Sequence, residues 1–389
     1  MYYKSMGFVA LDKISLILTF CAVIGLFLAA SNQPPVIGYI LTGIALGPHM
    51  LKLITETEPI RIIGDFGMIL MLFTVGLKLD VYEFKKVWKT SLICVFVQIL
   101  SSFLAAKLLG SLLGMDTGMT ALFTCFFALS STAVAVKLLE NKNEVNNQVG
   151  SLVISILIAQ DLALAPMIIT LKSIIFKSSI YVLFSKLFFS LFIMIVCVIF
   201  VSRSNLKFLN KFFNSAFLKN PEINALATIA ICFGFAQVSE LVGLSGVYGA
   251  FICGFILGNL GPKNALLSFS MPLSGILMMS FFVYIGTLFD TVFIAKNIFN
   301  ILAVVIFITL FKILINYVVL INLKWRRIHS MLASALLSQV SEFSFVLLSL
   351  YSTSENFICL KNWIVSVTVV SLSVGSIIVI MIQDFLERS

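Results

Sequence analysis

The sequence predicts an all-α polytopic membrane protein, and three observations support this fold class. Hydrophobic residues make up 60% of the 389-residue chain and charged residues only 11%, with a mean hydropathy of +1.11. Soluble domains average roughly 45–50% apolar and about 25% charged residues, so the composition excludes a soluble globular chain and a disordered chain. With about 20 apolar residues in each span plus short loops, the length accommodates roughly a dozen transmembrane helices.

Apolar runs separated by polar, glycine and proline residues divide the chain into 13 segments, which we number in chain order. The first leads directly into the second across Pro34 and Pro35, and its N-terminal flank is only weakly basic. These features indicate a retained helix rather than a cleaved signal peptide. The segments span residues 13–31, 35–50, 61–79, 90–110, 117–139, 148–172, 180–202, 222–241, 244–260, 265–289, 297–323, 330–352 and 362–385.

Basic residues concentrate in alternate loops, which determines the predicted orientation of the segments. Cytoplasmic loops of membrane proteins are enriched in Lys and Arg, so the side that carries most of these residues faces the cytoplasm. We therefore predict an inner-membrane protein with its N-terminus outside and its C-terminus in the cytoplasm. The formal net charge of +9 is thereby explained without a nucleic-acid partner. The basic residues on the cytoplasmic side are Lys85, Lys86, Lys89, Lys142, Arg203, Lys207, Lys211, Lys219, Lys263, Lys324, Arg326 and Arg327.

Glycines recur with the same spacing in the second and ninth segments, and a second matching motif ends the segment after each. Small residues at such spacing also permit close helix packing, but two matches in the same order indicate a duplication. The copies are separated by an odd number of segments, so they cross the membrane in opposite directions, as in many secondary transporters. We predict a single membrane domain over 1–389, with repeats at 13–172 and 222–385 and a linker helix and basic loop at 173–221. The matching residues are Gly38, Gly43 and Gly47 with Gly249, Gly254 and Gly258, then Gly76–Asp80 with Gly286–Asp290.

Three ionisable residues lie near the centres of predicted helices: Asp161, Lys312 and Glu342. An ionised side chain at the bilayer centre costs at least about 2.5–3.5 kcal/mol, so each of them marks a candidate functional site. Asp65 and Glu240 lie nearer the outer ends of their segments, where water can solvate them.

Asp161 follows Gln160 in the sixth segment, and both side chains offer oxygen ligands of the type that hard cations prefer. The carboxylate can bind a proton in place of the cation, and one site with two mutually exclusive occupants is sufficient for exchange. The alternative is a structural aspartate paired with Lys312, and the two interpretations are compatible because such a pair can open during transport. A buried ammonium requires a carboxylate, and the sequence leaves Asp161 and Glu342 as candidates.

Polar clusters interrupt the centres of the fifth and twelfth segments, which occupy matching positions in the two repeats. They are Leu-Ser-Ser-Thr within 128–133 and Leu-Ser-Gln-Val-Ser-Glu within 337–343. One such cluster alone is explained by hydroxyls that hydrogen-bond back to their own helix. As a matched pair, the clusters predict broken helices whose unwound carbonyls face a cavity, and the dipole of a half-helix explains how Glu342 is tolerated.

Together these motifs resemble those of the monovalent cation:proton antiporter family two, over essentially the whole chain. Within that family the sequence looks most like the Kef-type potassium/proton antiporters, which have Gln-Asp where many sodium/proton antiporters have two carboxylates. The resemblance rests on the runs 35–48, 72–80, 128–135, 160–161 and 338–346.

The resemblance implies a homodimer in the lipid bilayer, built from a dimerisation domain and a mobile core domain that moves like an elevator. Segments 4–6 and 11–13 are the implied core, in which segments 5 and 12 cross as broken helices. Asp161 is the implied carboxylate for cation and proton, with Lys312 as its pairing partner and Gln160 as its neighbour. The implied cation site also includes Ser130, Ser131 and Thr132, and the supporting residues are Glu342, Gln339 and Ser341.

Two features depart from the pattern of that family. Ser341 stands where a glycine is usual before the acidic residue, which leaves the exact position of the second break open. The chain ends at Ser389, directly after the last segment, whereas Kef-type proteins generally continue into a cytoplasmic nucleotide-binding regulatory domain. We therefore do not expect control by glutathione or nucleotides to carry over to this chain.

We expect a secondary antiporter that exchanges a monovalent cation for protons, not an enzyme, with no cofactor and no metal site beyond the transported cation. The neutral amide of Gln160 lowers the field strength of the site and so favours K⁺, with Na⁺ as the other candidate. Exchange is electroneutral if Asp161 alone carries the proton, and electrogenic if Lys312 carries one too. The alternatives are a cation channel or ungated potassium efflux pathway, for which this buried pair is a poor pore lining, and a non-transporting sensor.

Overall fold

The computed structural model describes residues 2–31, 35–78, 81–141, 144, 147–203, 221–242, 244–260, 263–350 and 357–388. All regular secondary structure within these ranges is α-helical. Of the predicted features, most of the basic loop after Arg203, together with Lys142 and Asp80, lies outside the described residues.

Fifteen helices account for nearly all of the described part of the chain, and most of them coincide with one predicted segment each. Helices suit an apolar surrounding because every backbone N–H and C=O between the helix ends is bonded within the helix. The helices are α1 (Tyr2–Ala30), α2 (Pro35–Leu46), α3 (Glu58–Lys78), α4 (Val81–Leu113), α5 (Thr117–Ala128), α6 (Thr132–Asn141), α7 (Gln148–Ile175), α8 (Ile180–Arg203), α9 (Pro221–Leu241), α10 (Gly246–Leu260), α11 (Lys263–Thr287), α12 (Thr291–Asn322), α13 (Arg327–Leu336), α14 (Phe343–Leu350) and α15 (Phe357–Arg388).

Two of the predicted segments are divided into pairs of half-helices. The fifth segment ends its first helix at Ala128 and begins its second at Thr132, with Leu129 between them in an extended conformation (ψ 144°). The twelfth segment ends its first helix at Leu336 and begins its second at Phe343. Both interruptions therefore lie at the polar clusters of the sequence.

Glycine permits close helix packing between α2 and α11 and between α3 and α10. A Cβ at Gly43 in α2 would lie 2.1 Å from the carbonyl oxygen of Val283 in α11. A Cβ at Gly254 in α10 would lie 2.0 Å from the carbonyl oxygen of Phe73 in α3. Only glycine fits against backbone at such distances. We call the four helices α2, α3, α10 and α11 the glycine frame, in which α3 and α11 also pack against each other.

The two glycine contacts correspond to each other under the predicted repeat. Helices α2 and α10 contain the matched glycine sets, and α3 and α11 are the helices that follow them. Helix α2 packs against α11, which follows α10, and α10 packs against α3, which follows α2. Two copies related by a two-fold axis would exchange contacts in this way, so the packing agrees with the repeat, whose boundaries remain a prediction.

A second set of helices surrounds the two breaks, and we call α4–α7 with α12–α15 the crossing group. Helix α4 packs against α5, α7 and α12, and α12 packs in turn against α13 and α15. Helix α8 contacts α7 on one side and α10 on the other. The crossing group and the glycine frame are thus connected by this helix.

Seven of the described helices are long and apolar enough to cross a bilayer, and five shorter apolar helices accompany them. This pattern agrees with the predicted membrane protein. The count of 13 spans remains a prediction, because length and composition do not decide the path of the shorter helices. The seven candidate spans are Asp12–Ala30, Glu58–Lys78, Val87–Leu112, Gln148–Ile175, Glu222–Leu241, Lys263–Thr287 and Thr291–Asn322.

Candidate ion-binding site

Asp161 lies in the middle of α7 and is only 4% exposed. Its carboxylate accepts a hydrogen bond from the hydroxyl of Thr132, with 3.5 Å between Oδ2 and Oγ1. Thr132 is the first residue of α6, and the N-terminal end of a helix carries partial positive charge. The carboxylate is therefore held at the first break, nearly shielded from solvent, where a cation or a proton would neutralise it.

Glu342 lies in the second break itself, directly before α14, and is 5% exposed. The hydroxyl of Ser131 donates to its Oε2 at 2.7 Å. The same hydroxyl accepts the N–H of Val134 at 3.3 Å and so caps α6. Asp161 and Glu342 are close enough to interact electrostatically. Two successive residues of the first break, Ser131 and Thr132, thus contact the two buried carboxylates.

Lys312 in α12 is 4% exposed and lies at the C-terminal ends of α5 and α13, the first half-helix of each broken pair. Its ammonium donates to the carbonyl oxygen of Leu129 and, at 3.0 Å, to that of Gln339. These carbonyls follow α5 and α13, whose C-terminal ends carry partial negative charge. Between the described residues, no ion pair within 4.0 Å joins Lys312 to Asp161. The lysine instead joins the two breaks, so the pairing implied by the family resemblance is not formed in this conformation.

The side-chain amide of Gln160 is engaged in the first break. Its Oε1 accepts the backbone N–H of Ser130 at 2.9 Å, and its Nε2 donates to the carbonyl oxygen of Ala128 at 3.3 Å. Nε2 also donates to Oε1 of Gln98 in α4, at 2.7 Å. Gln160 thus bonds one backbone N–H and one backbone carbonyl at the first break, where these groups have no partner within a helix. Because a carbonyl oxygen has two lone pairs, Oε1 keeps one for a cation.

The two breaks also contact each other directly. The hydroxyl of Ser130 donates to the carbonyl oxygen of Leu337 at 2.7 Å. The hydroxyl of Ser341 accepts the N–H of Phe343, the first residue of α14, at 3.2 Å. The side-chain amide of Gln339 is buried, and neither its oxygen nor its nitrogen has a hydrogen-bond partner. Ser341 therefore caps the start of the second half-helix, at the position where the resemblance implies a glycine.

Two site residues, Gln98 and Asn316, were missed by the sequence analysis. Nε2 of Gln98 donates to Oδ1 of Asn316 in α12, and both residues are at most 5% exposed. A search for charged residues passes over them because an uncharged amide in an apolar run is less costly than an ion. Asn316 follows Lys312 by one helical turn, which places both side chains on one face of α12. That spacing is the signal by which the sequence could have indicated Asn316.

A cavity of about 290 Å³ lies between α3 and α9 on one side and α7 and α14 on the other. Asp65 and Glu240 line it together with Arg61 and Lys172, and Arg61 lies 3.9 Å from the Asp65 carboxylate. Further in, the lining includes the buried ring of Phe345. The two carboxylates thus lie at a cavity that also holds two basic side chains, as expected for residues at a water-accessible mouth.

The family described as sodium/hydrogen exchanger, transmembrane, matches residues 15–384 of this chain. That match spans both breaks and all of the buried polar residues described above. The chain belongs to the transmembrane sodium/hydrogen exchanger family. Cation/proton exchange in a membrane is the activity of this family, which confirms the resemblance found in the motifs.

Relatives of this exchanger-family protein are named for different cations. The iron transporter MagA of Paramagnetospirillum magneticum is 33% identical over 91% of this chain and 83% of that protein. The glutathione-regulated potassium-efflux system protein KefC of Escherichia coli K12 is 28% identical over 91% of this chain and 57% of KefC. The K(+) efflux antiporter 6 of Arabidopsis thaliana is 28% identical over 84% of this chain and 55% of that protein. The chain therefore spans little more than half the length of these two potassium-efflux proteins.

The exchanger-family chain also matches solved structures over its whole length. The sodium proton antiporter MjNhaP1 of Methanocaldococcus jannaschii aligns with a TM-score of 0.74, over 99% of this chain and 98% of that chain, at 15% identity. At this identity the match shows the fold alone. The predicted all-helical fold is thereby confirmed.

Proposed function

We propose that this protein is a secondary antiporter that exchanges a monovalent cation, K⁺ in preference to Na⁺, for protons. The observation that carries the proposal is the placement of Asp161, which is 4% exposed at a helix break and hydrogen-bonded by Thr132. An isolated ionised carboxylate is costly in such surroundings, so it takes up either a proton or a cation. Because the two occupants exclude each other at one carboxylate, their movements are coupled.

The number of buried charges supports a monovalent cargo. Asp161 and Glu342 contribute two negative charges when ionised, and Lys312 contributes one positive charge, all three being at most 5% exposed. One negative charge remains, and either one proton or one monovalent cation neutralises it. This balance favours electroneutral exchange of one cation for one proton.

The proposed cation ligands are oxygen atoms at the first break. Asp161 supplies the carboxylate, and neutral oxygens come from the hydroxyls of Ser131 and Thr132 and from the remaining lone pair of Gln160. Ser130, whose hydroxyl now donates to the second break, positions this segment. Neutral ligands give a weaker field than a second carboxylate would, and the field strength of the coordinating dipoles is one determinant of K⁺ selectivity.

The proposed role of Lys312 is to stabilise the empty site, after one ion has left and before the next one binds. It neutralises the C-terminal ends of two half-helices through Leu129 and Gln339. When Asp161 is empty and ionised, its buried charge needs compensation, so an ion pair with Lys312 is expected in another conformation. Glu342 balances the lysine charge while Asp161 is occupied.

We further propose an elevator movement in which the crossing group slides against the glycine frame. The helices of the frame are held by close backbone contacts, whereas the crossing group carries the site and meets the frame at the cavity lined by Asp65 and Glu240. By analogy with the family, two copies form a homodimer through the frame side, in the inner membrane. The positive-inside pattern supports an outside N-terminus and a cytoplasmic C-terminus, and no resident cofactor is invoked.

Ferrous iron is a second candidate cargo, favoured by the name of the relative MagA. Protein iron sites typically combine several imidazole, thiolate or carboxylate ligands. Among the described residues, no group of three or more His, Cys, Asp or Glu side chains could hold a metal ion. The ligand set and the charge balance therefore favour a monovalent cation, and the experiment below includes iron.

The test is proton flux in proteoliposomes with an imposed pH gradient, to which K⁺, Na⁺, Li⁺ or, without oxygen, Fe²⁺ is added. We expect K⁺ to collapse the gradient at the lowest concentration, and Asp161→Asn to abolish the response because the amide takes up neither proton nor cation charge. Asp116→Asn is the matched control: Asp116 caps α5 away from the site, and Asn caps a helix equally well.

Three results would contradict the proposal. Cation movement without proton movement would indicate a channel or an ungated efflux pathway. A response to Fe²⁺ alone would make iron the cargo. Full activity of Asp161→Asn would make the carboxylate structural.

A further inference from the structure

A chain of amide groups runs through the crossing group beside the candidate ion-binding site. The N–H of Ser130 donates to Oε1 of Gln160 at 2.9 Å, and Nε2 of Gln160 donates to Oε1 of Gln98 at 2.7 Å. Nε2 of Gln98 then donates to Oδ1 of Asn316. Every donor in this chain points the same way, so each hydrogen bond polarises the next and strengthens it.

The three side-chain amides are deeply buried. Gln98 is 5% exposed, Gln160 2% and Asn316 1%. A buried amide without a partner costs free energy, whereas an apolar side chain of the same size costs none. Packing alone therefore does not account for polar side chains at these positions on α4 and α12.

Through this chain, α12 reaches the first break by two routes. Lys312 donates directly to the carbonyl oxygen of Leu129. Asn316, one turn further along α12, is connected through Gln98 and Gln160 to the N–H of the next residue, Ser130. The two anchored residues immediately precede the hydroxyls that contact Asp161 and Glu342.

We propose that Gln98 is a positioning residue for Gln160, and through it a determinant of which monovalent cation the site accepts. The inference rests on the proposed antiport function. The acceptor oxygen of Gln98 holds the nitrogen of the Gln160 amide on the α4 side, which keeps the Gln160 oxygen at the break. Without that acceptor the Gln160 nitrogen keeps only two longer bonds, at 3.3 Å to the carbonyl oxygen of Ala128 and 3.3 Å to the hydroxyl of Ser130. The amide can then rotate and present N–H donors, which repel a cation, in place of an oxygen ligand.

The test is initial antiport rates of the full chain in proteoliposomes at varied K⁺ and Na⁺. Gln98→Met removes the amide, and Gln98→Asn withdraws it by one methylene while keeping its polarity. Both variants are expected to raise the KM for K⁺ roughly tenfold, which corresponds to the loss of about one buried hydrogen bond. The kcat at saturating K⁺ stays within about twofold, and the K⁺/Na⁺ ratio of kcat/KM falls toward one.

The control is Thr309→Val. Thr309 is a buried residue of α12, and its hydroxyl has no hydrogen-bond partner. It removes a polar group of α12 outside the amide chain, so KM and the K⁺/Na⁺ ratio should stay at wild-type values. Combining Gln98→Asn with Asn316→Gln lengthens only the partner on α12, so it can restore the bond between positions 98 and 316 but not the bond from Gln160. We expect this double variant to keep the raised KM, and recovery of the wild-type KM would overturn the inference.

A merely structural Gln98 would lower yield and kcat while leaving KM and the K⁺/Na⁺ ratio unchanged. That result in either folded Gln98 variant overturns the inference, and if one variant fails to fold the other decides. Wild-type protein without cation-driven proton flux would instead reject the proposed function. An active wild type with unaltered Gln98 variants rejects the inference alone.

Discussion

The glycine frame and the crossing group hold their helices together by opposite means. In the frame, Gly43 and Gly254 bring backbone against backbone, at positions where even a methyl group would clash. In the crossing group, two helices are interrupted, and side chains such as Ser131, Gln160 and Lys312 bond the buried backbone groups at the interruptions.

This difference has a physical consequence for movement. Interlocked backbones have one close-packed arrangement, because a small displacement produces steric overlap. Hydrogen bonds to side chains can be exchanged for bonds to a cation or to another side chain at little net cost. The two regions are therefore suited to different tasks, the frame to a fixed support and the crossing group to a site that changes with its load.

The largest expected effect is in the frame, where Gly254→Ala places a Cβ 2.0 Å from the carbonyl oxygen of Phe73. Overpacking typically costs about 1–3 kcal/mol and more against rigid backbone, so we expect at least about 3 kcal/mol of destabilisation and little folded protein. Fluorescence-detected size exclusion and thermal unfolding in detergent measure it.

Gly275→Ala in α11 is the control, since nothing lies within 4 Å of its added Cβ. It should fold normally and gain a little stability from the higher helix propensity of alanine. A melting temperature of Gly254→Ala equal to that of this control would show that the frame tolerates displacement, and the contrast between the regions would be lost.

The next effect is in the crossing group, where Ser131→Ala removes the cap of α6 and the hydrogen bond to Glu342. Loss of a helix cap costs about 0.5–2 kcal/mol, so the variant should fold with a lowered melting temperature. Transport is expected to fall roughly tenfold, because the buried carboxylate of Glu342 loses a donor.

Ser185→Ala provides the comparison, since this exposed hydroxyl bonds only to its own helix, at Val182. Proteoliposome antiport and thermal unfolding are measured side by side for both serine variants. Equal behaviour of the two variants would mean that the bond between the breaks has no part in stability or transport.

The smallest effect on stability is expected for Thr132→Val, which removes the 3.5 Å contact with Asp161. A hydrogen bond of this length is weak, so the melting temperature should stay within about 2 °C of wild type. The KM for the cation should nevertheless rise about threefold to fivefold, since the hydroxyl is proposed as a ligand.

Thr132→Ser keeps the hydroxyl and should keep the wild-type KM. The variants are compared by initial rates over a range of cation concentrations. If Thr132→Val and Thr132→Ser had the same KM, Thr132 would belong only to the start of α6, and the set of proposed cation ligands would shrink by one.

The buried charged residues and the two helix breaks could be predicted from the sequence. Asp161, Lys312 and Glu342 could be selected because each violates the strong preference of a membrane helix for uncharged side chains. The interruptions could be placed because matched polar clusters weaken two helices at equivalent positions. The structure ends and restarts the helix at both clusters.

The interaction partners could not be predicted in the same way. Lys312 was expected to need a carboxylate, yet its donors meet the carbonyls of Leu129 and Gln339. Those carbonyls are available as acceptors only because the helices are broken there. Since every residue type has a backbone carbonyl, the sequence does not mark which residues accept from Lys312. Gln98 and Asn316 escaped notice for a related reason, since their function depends on a partner far away in the chain.

The order of apolar and charged residues was sufficient for the membrane class, the helical fold and the candidate ion-binding carboxylate, because burial in lipid penalises each departure from apolarity strongly and locally. The division into a glycine frame and a crossing group, the amide chain and the position of Lys312 between two helix ends were decided by tertiary packing. These features depend on distances between residues that are remote in sequence, and such distances arise only when the helices are packed together.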